Sequence, residues 1–188
     1  MLILLQGPPG SGKTSLAKRL STELGILHIS KDDILESIFN HVDSGDLSGL
    51  QGLPNQILFK LISKLPNNGT PVLVESNFHP EKGKAALKQA LSGKDIKVIE
   101  VFLTAPDELL LKRFKERWES GVRHEGHSDN SKYEALKSYL AQKPRPLSFA
   151  ELILEINTAQ EEEAVYQEFL DKISGVMVNL KHAHKTAQ

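Results

Sequence analysis

The sequence predicts an α/β fold in which a five-stranded parallel sheet carries helices on both faces. Three observations lead there. Short apolar runs alternate with helix-spaced patterns along the whole of the 188 residues. Five of the runs read as strands apolar enough to be covered on both sides, as parallel strands are. The first run ends in a Gly/Pro turn that opens directly into a helix. Right-handed crossovers would then place every strand's C-terminal end on one edge, where open α/β sheets bind ligands.

The elements follow in order. Residues 2–5 form the first strand, and residues 14–24 the first helix, with Leu16, Ala17, Leu20 and Leu24 on one face. Residues 26–30 are the second strand and 32–39 a helix. Residues 45–54 hold four glycines or prolines and read as a loop. A helix is expected over 55–65. Val72, Leu73 and Val74 mark the third strand, 71–75. Residues 80–91 are helical, 97–103 the fourth strand, and 106–119 a strongly charged helix. The stretch 121–130 is polar and carries His124 and His127. A helix over 132–142 ends at a proline-punctuated break, 143–146. The fifth strand is 152–156. The last helix, 161–173, opens on Glu161, Glu162 and Glu163, which suit a helix N-terminus. The polar tail 181–188 is expected to fray. Without an internal repeat or a composition break, residues 1–188 read as one domain.

Composition narrows the function classes. Hydrophobic residues at 39% and charged residues at 25% describe a soluble globular chain. A net charge of -1 supplies no global basic field for a nucleic acid duplex. Aromatics at 6% argue against a stacking channel for single strands. Absence of cysteine excludes disulfides, thiolate metal sites and cysteine nucleophiles, and fits a reducing cytoplasm, the expected compartment. The apolar residues 1–5 are too few for a signal sequence or a membrane span.

Gly7-Pro8-Pro9-Gly10-Ser11-Gly12-Lys13-Thr14 matches G-x-x-x-x-G-K-[ST] at every fixed position. Gly7, Gly10 and Gly12 let the backbone curl so that successive N–H groups face phosphate oxygens. The helix that starts near Lys13 adds its positive end. Lys13 brings a mobile charge to the β- and γ-phosphates, and the Thr14 hydroxyl is placed for magnesium. Ser11 and Ser15 complete the nucleotide-binding set. A strand before the motif and an amphipathic helix after it supply the context a P-loop requires.

Ser30-Lys31-Asp32-Asp33 follows the second strand and opens a helix. A carboxylate there would orient an acceptor hydroxyl and take its proton as the new bond forms. Capping of the helix by Ser30, Asp32 or Asp33 is the simpler alternative. Glu75, Ser76 and Asn77 end the third strand at a position resembling a Walker B terminus, with glutamate in place of aspartate. Glu75 and Asn77 are candidates for an acceptor, a metal-bound water, or both. Arg113 and Arg117 lie four apart on one helix face, and Arg123 falls in the loop beyond. Guanidinium groups there would stabilise a transferring phosphoryl group, although the same charges also make an ordinary solvated face. His124 and His127 are too close in sequence for the H-E-x-x-H zinc pattern, and Gly126 opposes a helix between them.

The N-terminal P-loop, the paired aspartates and the arginine-bearing segment together resemble the P-loop kinase family. Within it the chain is similar to small bacterial kinase-like proteins related to polynucleotide kinase, zeta toxin and chloramphenicol phosphotransferase. The resemblance implies a P-loop NTPase three-layer fold with a helical lid over about 113–145. It implies Asp33 as the acceptor base, with Asp32 as a helper near magnesium. It further implies lid arginines that clamp phosphates, and a loop after the last strand, Asn157 to Gln160, beside the adenine. Trp118 is expected to pack the lid helix. The expected activity is transfer of the γ-phosphoryl group of ATP, with Mg2+, to a hydroxyl or phosphate of a small molecule. The catalytic set is Lys13, Asp33 and Arg123. An ATPase or nucleotide switch, or a polynucleotide 5'-end kinase, is the alternative. Residues 40–55 are expected to form part of the acceptor pocket, whose ligand the sequence does not name.

Overall fold

The structure is a computed structural model that describes residues 1–42, 50, 52–67, 69–121, 124, 127 and 129–185, the last eleven by backbone alone. Five strands, β1 (Leu2–Gln6), β2 (Leu27–Ser30), β3 (Val72–Glu75), β4 (Val98–Thr104) and β5 (Leu152–Asn157), form one sheet in the order β2-β3-β1-β4-β5. Every pairing is parallel. The register sets Leu5 and Ser30 level with Glu75, so β1, β2 and β3 end side by side. Their C-terminal edge carries the site.

Alternation along β1 divides the core between the two faces. Ile3 and Leu5 pack with Leu16, Ala17 and Leu20 of α1 (Lys13–Leu24) and with Tyr166 and Phe169 of α7 (Glu162–Lys185). Leu2 and Leu4 face the other way, onto Leu58 and Ile62 of α3 (Leu53–Ser63) and Leu87 of α4 (Lys82–Ala90). Each of these β1 side chains is fully buried, worth roughly 1.5–3 kcal/mol relative to exposure. A third cluster joins Leu110 and Phe114 of α5 (Asp107–Glu119) to Leu136 and Leu140 of α6 (Tyr133–Ala141). These two helices flank and span much of the segment 113–145. α2 (Lys31–Phe39) leaves β2 at the site edge. Glu100, fully buried on β4, accepts the backbone N–H of Ser148 and Phe149 at 3.2 and 2.9 Å and so fixes the chain on its way into β5.

The element bounds depart from the sequence reading in three places. α3 begins at Leu53, because Pro54 sits in the first turn, where a missing N–H leaves no bond unmade. A short 3-10 turn, Asp129–Lys132, closes the polar stretch before α6. α7 continues to Lys185 instead of ending at 173. Once a helix exists, each added residue gains a hydrogen bond, and Gly175 alone does not outweigh that. Among the described residues no helix is long and apolar enough to cross a membrane.

Candidate active site

The phosphate loop has the curl that its glycines allow. Gly7 and Gly10 hold φ of 145° and 84°, where L side chains are rare. Space forbids substitution as well: a Cβ on Gly7 would lie 2.3 Å from the Leu103 carbonyl oxygen, and one on Gly10 2.6 Å from that of Leu110. Gly12 caps α1 in the left-handed region, with open space where its side chain would be. Lys13 Nζ donates to the Gly7 and Pro8 carbonyls, both at 2.9 Å, so the ammonium already lies folded over its own loop. A phosphate in the cradle would offer it a charged acceptor in place of neutral ones.

Thr14 opens α1 next to β3. Its hydroxyl donates to Glu75 Oε1 at 2.7 Å. Glu75 is 4% exposed, and its second oxygen accepts from His28 Nε2 at 3.1 Å. His28 was not singled out in the sequence. An isolated histidine inside a short apolar strand carries no motif, and only the parallel pairing of β2 with β3 brings it to Glu75. Donating its proton to Glu75 leaves both Thr14 oxygen lone pairs for another partner. A hydroxyl beside a carboxylate at a phosphate loop is the hard-oxygen donor set that magnesium takes, so these residues fit the ion the sequence motif implies.

The capping question at α2 is resolved. Ser30 is the N-cap, and its Oγ accepts the N–H of Asp32 at 3.2 Å and of Asp33 at 3.4 Å. Neither aspartate is used as the cap. Asp32 lies 3.5 Å from Lys31 Nζ, and both carboxylates line the main cleft with Glu36.

Of the helix pair α5 and α6, α5 reaches the cleft, through Arg113 and Arg117. Arg113 donates to Thr158 Oγ1 at 3.2 Å and to its carbonyl at 2.8 Å, tying α5 to the loop after β5. Thr158 is anchored in turn to the Thr104 carbonyl through its N–H and hydroxyl, at 2.7 and 3.1 Å. Arg117 pairs with the buried Asp129 at 3.1 Å and also lines the cleft. His127, 2% exposed, contacts Glu36 Oε1 at 2.8 Å, and Phe39 stacks on His124 at 5.3 Å. His124 and His127 thus seat on α2, the helix of the paired aspartates. Trp118 lies one turn beyond Phe114 on the same face, next to the end of α5, and is 40% exposed. Arg123 lies outside the described residues.

One cleft of about 570 Å³ joins these parts. It runs from Thr158, Gln160 and Tyr166, past Lys13, Thr14 and Ser15, to Asp32, Asp33 and Asn77. A second cavity of about 310 Å³ shares Asn77 with it. Gln6, Phe78 and Phe102 line that cavity, together with Lys143 and Arg145 of the proline-punctuated break, and among the described residues no acidic side chain does. Ser11, in the nucleotide-binding set, is fully buried inside the loop.

A family model described as an AAA domain matches residues 2–145. An adenylate kinase from Deinococcus deserti is 31% identical over 149 residues, which cover 73% of this chain and 70% of that one. Among solved structures, a candidate kinase from Chloroflexus aurantiacus superposes with a TM-score of 0.73 at 22% identity, covering 91% of this chain and 97% of its own. A gluconokinase from Sinorhizobium meliloti 1021 gives a TM-score of 0.62 at 18% identity, covering 96% of this chain and 95% of its own. At those identities the two structures speak for the fold.

Proposed function

The chain belongs to the AAA-domain family and is a P-loop kinase, and from that premise we propose that it moves the γ-phosphoryl group of ATP to a small-molecule acceptor. The observation that carries this reading is the pair Asp32 and Asp33. Both line the cleft that holds Lys13, and Ser30 relieves them of the capping role. A switch or simple ATPase has no need of an acceptor base.

In this reading the triphosphate lies on the N–H groups from Gly10 to Thr14, with Lys13 turned from its carbonyls onto the phosphates. Magnesium, when bound, neutralises phosphate charge, and Thr14 and Glu75 are the residues that would hold it. Asp33 accepts the proton of the acceptor hydroxyl as the new P–O bond forms and the bond to the β–γ bridging oxygen breaks, leaving ADP. Arg113 and Arg117, with Arg123 as a candidate from the sequence, supply positive charge from the lid over about 113–145. The base lies toward Thr158 and Gln160. The acceptor enters by Asn77, and the second cavity, which Arg145 lines together with Lys143, whose ammonium pairs with Asp107 at 2.9 Å, suits an acceptor with an anionic group. Adenylate kinase and gluconokinase, the relatives' names, both denote such acceptors. We place the activity in the cytoplasm.

The test is a set of acceptors in matched pairs, gluconate against glucose and adenosine monophosphate against adenosine, with γ-labelled ATP. Label is expected on an anionic member, at least about tenfold above its neutral partner, the scale of one charged contact. Hydrolysis of ATP with no label on any acceptor would favour the ATPase reading.

A further inference from the structure

We propose that His28 is a positioning residue for the magnesium site, acting through Glu75. The proposal rests on the assignment of Thr14 and Glu75 to the ion. It concerns a residue outside the phosphate loop, the aspartate pair and the lid.

The geometry is that of a chain of three side chains. The hydroxyl of Thr14 donates to one Glu75 oxygen at 2.7 Å, and His28 Nε2 donates to the other at 3.1 Å. Within that contact the Glu75 and His28 side chains are 5% and 9% exposed. Ser30 lies level with Glu75 in the register, so His28, two residues earlier, projects on the same face one step behind. Strand pairing therefore delivers the imidazole to the rear of the carboxylate.

A carboxylate only accepts hydrogen bonds, and a buried one without partners is costly. With only the Thr14 contact, the carboxylate of Glu75 could rotate about its terminal torsion, which is soft. The second bond, from the opposite side, removes that freedom. A fixed Glu75 oxygen keeps the Thr14 proton directed at it and the Thr14 lone pairs directed away, toward the phosphates. His28 thus orients a ligand it does not touch through the ion. Outer partners of this kind commonly change metal affinity by about 10–100-fold.

The test uses the full chain and its affinity for ATP, measured by calorimetry with excess EDTA and again with Mg2+. The gain in affinity on adding Mg2+ is the quantity read. His28→Leu removes the donor at similar volume, and His28→Asn keeps polarity but falls short of Glu75. His28→Gln restores an N–H near the position of Nε2. The gain should fall about tenfold in the Leu and Asn variants and stay within about threefold in Gln, with affinity in EDTA unchanged throughout. Electron paramagnetic resonance of Mn2+, added with ATP, should report the same order of metal release. Equal gains in parent, Asn and Gln variants would overturn the proposal, and that comparison stands even if His28→Leu does not fold. A parent that shows no gain at all would instead remove the metal assignment of Thr14 and Glu75.

Discussion

Asp33 is where position and chemistry can be separated by a single atom exchange. Ser30 holds the N–H of Asp33, so the carboxylate itself is not spent on the helix. Asp33→Asn keeps the shape and removes the charge and basicity. Helix α2 should keep its stability, because its cap is untouched, whereas Ser30→Ala should lower stability by about 1 kcal/mol. ATP affinity in Asp33→Asn should stay within a few-fold, while phosphoryl transfer to an identified acceptor falls by roughly a hundredfold or more. Transfer at the parent rate would move the base to Asp32 or remove it. The sequence displayed both aspartates but left open which of three residues caps. Only the distance from Ser30 Oγ to two successive N–H groups decides that. His28 was illegible for a different reason. Its partner is 47 residues away, and a contact made across strands leaves no spacing pattern.

At the scale of elements, apolar runs located all five strands to within a residue or so; burial on both faces leaves little freedom of composition in β1, β3 and β4, while the edge strands β2 and β5 are partly exposed. Helix ends were less legible. The extension of α7 to Lys185 follows from propagation, which no stop signal in the sequence countered. Strand order was not legible either, as it depends on which edges the crossovers reach. One contact between elements lends itself to a pH test. Arg19 on α1 bonds Glu23 and, on α7, Glu163, both at 2.7 Å, and its guanidinium lies 3.7 Å above the Tyr166 ring. The Tyr166 hydroxyl and then Arg19 hold the Glu23 carboxyl below its ordinary value. Gln167 and then Arg19 do the same for Glu163. A carboxyl lowered by folding adds stability above its unfolded value, and loses that as the pH falls through the folded one. Glu23→Gln should therefore melt lower than the parent at neutral pH, with the gap closing below about pH 4. The effect should be small and shrink in salt, because both carboxylates are exposed, Glu23 at 45% and Glu163 at 63%. A gap that persists unchanged into acid would show that packing, not charge, joins α1 to α7 here.

For the whole molecule, the cleft is a seam. Its walls come from the phosphate loop and α1, the end of β3, the start of α2, α5, the loop after β5 and the start of α7. One core cluster joins α1 to α7 beneath it, while the pair α5 and α6 packs as a cluster of its own. A nucleotide bound along the cleft, as proposed, would touch these parts at once, and its binding free energy would become resistance to unfolding of the chain as a unit. At a hundredfold excess over Kd, a ligand bound only by the folded state adds about 2.7 kcal/mol. For a domain of this size each kcal/mol raises Tm by about 2–4 °C, so a non-hydrolysable ATP analogue with Mg2+ should raise Tm by roughly 5–10 °C. Lys13→Ala should melt close to the unliganded parent. The lost ammonium contacts include two bonds to neighbouring loop carbonyls, Gly7 and Pro8, which lie outside the core clusters. The same variant should show almost no shift with the analogue, since the charge that meets the β- and γ-phosphates is gone. Differential scanning calorimetry of parent and variant, each with and without analogue, measures all four values. A full shift retained in Lys13→Ala would place the nucleotide elsewhere and sink the phosphate-loop assignment. A parent that fails to shift at saturating analogue would mean that the cleft does not hold the triphosphate across the seam.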